Sequence, residues 1–115
     1  MTPAPAAEPT HPAADRIELA AVLAALGHPA RLEIVRRLAA GEESCCGDVV
    51  PDLPRSSVTH HIRALRESGV ILQHPRGRKH LLALRRTDLD ARFPGLLDVV
   101  LRAGRPMPPE AVAEP

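Results

Sequence analysis

Ser56, Thr59, His60 and Arg63 are spaced so that a helix would carry their hydroxyl, imidazole and guanidinium groups on one side. Glu67 lies there too, one turn further along. Groups of this kind hydrogen-bond base edges and phosphates in a DNA major groove. On the other side, Val58, Ile62 and Leu65 fall within about 60° of one another and form a narrow apolar stripe. His61 lies about 60° from the centre of that stripe, which suits a buried, hydrogen-bonded structural histidine better than a base contact. Ser56 is placed to cap the helix, and Gly69 to end it in a left-handed conformation. An ordinary amphipathic helix with a solvated face has the same pattern, so its meaning depends on what surrounds it.

The surroundings are basic. Residues 55–86 hold eight Lys or Arg against the single acid Glu67, a net +7 in a chain whose total is +1, which leaves the remainder at −6. A localised basic stretch on an otherwise acidic protein is the electrostatic footprint of a nucleic-acid surface. A pure protein-interaction adaptor, the competing binding class, has no need of that charge. An enzyme is not indicated: there is no phosphate-cradling glycine loop, no Cys/His pair at useful spacing and no paired carboxylates in an apolar run.

At 115 residues the chain is one domain at most. Residues 1–14 and 105–115 are rich in Pro and Ala and read as flexible tails, leaving 15–104 as the folded unit. A core of about 90 residues with one Phe and no Trp or Tyr is thin for a monomer and makes a dimer plausible. No leader and no membrane-spanning apolar run is recognisable, so a cytoplasmic location with two reduced cysteines is expected.

In chain order, Asp15 and Glu18 form a capping-box pattern that should open a helix running to Gly27. His28-Pro29 starts a second helix, with Leu32, Val35 and Leu38 inward and Gly41 at its end. Residues 42–46 read as a short connector or one strand, and 47–53 as a brief helix limited by Pro51. Beyond Gly69, residues 70–72 and 80–84 are β-favouring runs around the basic tip Pro75-Arg76-Gly77-Arg78-Lys79. Thr87-Asp88 should cap a last helical segment, interrupted near Pro94-Gly95, whose broad apolar surface suits a subunit interface. The order is mainly α with a small β-hairpin, a winged helix-turn-helix. Arg76, Arg78 and Lys79 of the wing would reach phosphates beside the groove.

Two stretches carry a family resemblance. Ala25-Leu26-Gly27-His28-Pro29-Ala30-Arg31-Leu32-Glu33-Ile34 is similar to the L-(A/G)-x-P-x-R-L-x-I pattern of the ArsR/SmtB family of bacterial regulators, and the resemblance spans about Ala25–Leu101. Ser57-Val58-Thr59-His60-His61-Ile62-Arg63-Ala64-Leu65-Arg66-Glu67-Ser68-Gly69 is similar to its recognition-helix signature, S-x-V-S-H-H-L-x-x-L-x-x-A-G-L. The resemblance implies a homodimer, joined through its first and last helices, that binds a palindromic operator on double-stranded DNA. Repression is the default, relieved by an inducer that is often a metal ion. The DNA-facing set is then Arg55, Ser56, Ser57, Thr59, His60 and Arg63, with Arg76, Arg78 and Lys79 on the wing.

The resemblance also raises a sensor. Cys45-Cys46 stands where relatives that sense arsenic or soft metals carry Cys-x-Cys, but adjacent thiols diverge by about 100° in a helix and point to opposite faces in a strand. A thiol, arsenite or redox sensor there competes with one packed and one partly exposed thiol. The family's other site pairs Asp-x-His with His-x-x-Glu/His on the last helices, and here Asp88, Asp90 and Asp98 have no histidine beside them. An alternative set, His11, Asp15, Glu18 and His28 near Asp90 and Asp98 of the partner subunit, would suit nickel or zinc as an effector. His74 and His80 flank the wing and could chelate across the hairpin, although phosphate contact or solvation fits them better.

Overall fold

A computed structural model describes residues 10–40, 44–45, 53–77 and 79–103. A 3₁₀ turn, Ala14–Arg16, leads through Ile17 into α1 (Leu19–Leu26) and α2 (Pro29–Ala39). Strand β1 (Ser44–Cys45), α3 (Arg55–Ser68), the hairpin β2 (Ile71–Arg76) and β3 (Lys79–Leu84), α4 (Arg86–Arg92) and α5 (Leu96–Ala103) follow. The sheet is antiparallel with order β1-β3-β2, so the wing gains a third strand from the connector before α3. The brief helix expected over 47–53 falls almost wholly outside the described residues, as do Gly41 and Cys46.

Local chemistry sets the breaks. His28 is extended (φ −148°, ψ 130°), as the residue before a proline must be, and its Nδ1 accepts the Ala30 N–H to cap α2. Gly69 ends α3 at φ 91°, and Val70 N–H returns to the Leu65 carbonyl. Glycine is required there twice over, because a Cβ would also stand 2.6 Å from Cγ1 of Ile17.

One core joins all the helices to the inner face of the hairpin. Val22 and Leu26 of α1, Ile34, Val35 and Leu38 of α2, and Val58, Ile62 and Leu65 of α3 are buried together. Ile71, Leu82, Leu89 and Leu97 complete it, and Ile17 is buried where the chain enters α1. The stripe expected on α3 is therefore its core face.

Three expected helix starts move. Asp15 and Glu18 do not form a capping box: Asp15 sits in the 3₁₀ turn, and Glu18 precedes α1 without a side-chain cap. Burial of Ile17 in extended conformation delays the helix to Leu19. The residue before α3 is Pro54, which puts Ser56 inside the first turn instead of at its cap. Arg85, not Thr87 or Asp88, precedes α4; its buried guanidinium donates to Asp88 Oδ2 at 2.9 and 3.1 Å and to the Pro12 carbonyl at 2.8 Å. That contact, with Gln73 N–H donating to His11 Nε2 at 2.9 Å, lays residues 10–14 along the folded unit instead of in a free tail.

Candidate nucleic-acid interface

Helix α3 turns its core stripe inward and leaves Arg55, Ser56, Thr59, His60 and Arg63 exposed, with Ser57 half-buried at the margin. The polar row and the apolar stripe thus share one helix, and packing of the stripe fixes where the row points. Arg63 Nε donates to Glu67 Oε2 at 2.9 Å, which holds the Glu67 carboxyl below its ordinary value. The pair is solvent-exposed, adds little stability in water, and leaves a guanidinium that a phosphate can take over.

The wing supplies Arg76 and Lys79, both exposed and opposite each other across the hairpin, with Gly77 turning at φ 64°. Arg78 lies outside the described residues. Inside the wing, Arg66 Nη1 donates to Gln73 Oε1 at 2.7 Å and ties the end of α3 to β2.

His61 is 7% exposed and accepts from Arg31 Nε through Nδ1 at 3.0 Å, the structural role that its place beside the stripe suggested. Burial pushes its pKa below the ordinary imidazole value, and the neighbouring His28, Arg31 and His60 push the same way. Its ring stands 4.4 Å from that of His28 and 5.6 Å from that of His60, centroid to centroid. Arg31 Nη2 comes within 3.4 Å of His60 Nε2, and Nη1 donates to the Ala25 carbonyl at 3.4 Å. Arg31 thus joins α2 to both histidines of α3 and to the end of α1. Its partners on α3 lie thirty residues away in sequence, and its place three residues after His28 gives no sign of them.

The expected metal ligands are not brought together within one protomer. His11 accepts from β2, His28 caps α2, and Arg86 pairs with both Asp90, at 3.6 Å, and Asp98, at 3.3 Å. Asp15 and Glu18 lie on the surface at the entry to α1. Among the described residues no three His, Cys, Asp or Glu side chains are grouped to hold an ion, so this set does not fit a site built by one chain. His74 and His80 do not face each other either. His74 pairs with Leu81 and His80 with Pro75, which puts the two imidazoles on opposite faces of the hairpin and rules out the cross-hairpin chelate. Cys45 lies in β1 opposite Leu81. No described helix is long and apolar enough to cross a membrane.

A polar helix face braced by a core and flanked by a wing with a basic hairpin tip defines a winged helix-turn-helix. Residues 26–74 match a helix-turn-helix domain family, spanning α2, α3 and most of β2. The fold is similar to the crystal structure of an ArsR family transcriptional regulator, with 26% identity, a TM-score of 0.59, and coverage of 70% of this chain and 90% of that one. It is also similar to an ArsR-like transcriptional regulator from Rhodococcus sp. RHA1, with 25% identity, a TM-score of 0.54, and coverage of 84% and 92%. No curated protein sequence matches the chain. Fold and likenesses together make the chain a winged helix-turn-helix protein similar to ArsR-type transcriptional regulators.

Proposed function

We propose that the protein binds a specific operator in double-stranded DNA as a homodimer. The observation that carries this reading is the exposed row Ser56, Thr59, His60 and Arg63 on a helix whose other side is locked in the core. Two such helices would enter successive major grooves about 34 Å apart, with Arg76 and Lys79 of each wing on the flanking phosphates. Support for the dimer comes from Leu19 and Leu23 on α1, at 45% and 49% exposure, and Val99 on α5, at 64%. Large apolar side chains left in water on the first and last helices suit burial against a second copy.

The test is enrichment of duplexes from a random pool, with the mass of the free protein measured by light scattering. A palindromic consensus and a dimer mass are expected. Enrichment of no sequence would sink the operator reading, and a Leu23→Glu variant that stays dimeric would sink the α1 interface.

Response to nickel or zinc belongs, in this reading, to the assembled dimer, since one protomer does not gather the ligands. Calorimetric titration with Ni²⁺ and Zn²⁺, before and after alkylating the thiols, decides between the alternatives. Heat that survives alkylation supports His/carboxylate ligands, and heat lost with it moves the sensor to Cys45 and Cys46.

A further inference from the structure

We propose that Arg31 is the positioning residue of the DNA-reading helix: by holding His60 and His61 against the end of α1, it sets the rotation of α3 about its own axis. This rests on the operator-binding reading and names the residue that tunes its specificity.

Three elements meet at this side chain. Arg31 lies in the first turn of α2, and one guanidinium reaches His61 Nδ1 at 3.0 Å, the Ala25 carbonyl at 3.4 Å and His60 Nε2 at 3.4 Å. A guanidinium is planar and presents its donors in a fixed fork, so its partners cannot shift independently. His61 faces the core side of α3 and His60 the exposed side, and holding both fixes the helix's azimuth as well as its distance from α2. His28 closes the cluster: its Nδ1 caps α2 while its ring packs on His61. A small rotation of α3 would carry Ser56, Thr59 and His60 past the base edges they address, while the wing's phosphate contacts would survive.

Arg31 is half-buried and turned toward protein acceptors, so it is not counted among the phosphate contacts. The two roles separate by experiment. Affinity for the duplex enriched by the wild type and for a scrambled duplex is measured across salt for Arg31→Gln, with melting temperature recorded. Positioning predicts about a tenfold loss on the enriched duplex, little on the scrambled one and an unchanged salt slope. In a His60→Ala background Arg31→Gln should cost much less, because the two act as one unit. Equal losses on both duplexes with a salt slope shallower by about one would make Arg31 a phosphate contact and overturn the proposal. A lower melting temperature with an unaltered ratio between duplexes would make it a fold residue and overturn it too.

A second pair guards against misfolding of that variant. His61→Gln keeps an acceptor for Arg31 Nε and should hold the enriched-to-scrambled ratio, whereas His61→Leu keeps the volume without the acceptor and should lose it. Equal ratios in the two would count against the proposal. If the wild type enriches no duplex, the operator reading fails first; if it does and these ratios stay fixed, only the Arg31 inference fails.

Discussion

At the crossing of α2 and α3, Arg31 draws two imidazoles and a backbone carbonyl onto one guanidinium, while at the join of α4 and α5, Arg86 divides itself between Asp90 and Asp98. Both clusters combine an arginine with titratable partners, and both link one helix to another. The first includes the buried His61, so water cannot replace its hydrogen bonds and its geometry is held by the core beneath. The second is exposed and salt-screened, and its carboxylates are already neutralised by a cation. Burial, not the kind of residue, decides which cluster can specify a position. The residues that looked like metal ligands belong mainly to the second kind of environment.

The largest effect is expected on the packed side of α3. Leu65→Ala empties a fully buried site under α3 and should cost about 2–5 kcal/mol of stability by chemical denaturation. A cost under about 1 kcal/mol would mean that α3 is not held by its stripe. On the exposed side of the same helix, His60→Ala should leave stability nearly unchanged and lose about 1–3 kcal/mol of operator affinity by titration, with less lost on random DNA.

Acid should distinguish the two clusters next. Because the folded state holds His61 below its ordinary pKa near 6.5, the unfolded chain takes up that proton first. Stability from this group is complete above about 6.5 and drains as pH falls below it, so a melting-temperature profile should slope downward there. His61→Leu should flatten that limb relative to the wild type. An unchanged limb would show that His61 is not a buried neutral acceptor. The smallest effect belongs to the exposed cluster: Asp98→Asn should move stability by no more than about 0.5 kcal/mol, and a larger loss would mean that this pair is more shielded than its exposure implies.

Much of the first region was legible in the residues themselves. Val58, Ile62 and Leu65 repeat at helical spacing, His61 stands at the edge of their stripe, and Gly69 marks a left-handed end; each is a local rule that packing did not override. Charge concentration between Arg55 and Arg86 pointed to the wing as well. What stayed hidden depends on contacts between distant parts of the chain. Asp15 and Glu18 satisfied a capping pattern, but Ile17 between them is buried in extended conformation against Gly69, and that burial outweighs a cap. Arg85 sits before α4 because its buried guanidinium binds Asp88 and the Pro12 carbonyl, a partner 73 residues away. The grip of Arg31 on α3 is of the same kind. His74 and His80 show the reverse error: they are close in sequence across a turn, yet strand register sends them to opposite faces.

In the proposed function the exposed face of α3 reads sequence. The most direct test of that role is fluorescence anisotropy of the enriched duplex and a scrambled duplex, titrated with the intact protein across salt concentration. The account predicts a preference of at least about a thousandfold for the enriched duplex. It also predicts a slope of log K against log[salt] near −5, from about three phosphates per subunit. Equal affinity for the two duplexes with that same slope would contradict it, leaving a basic surface that holds DNA without reading it.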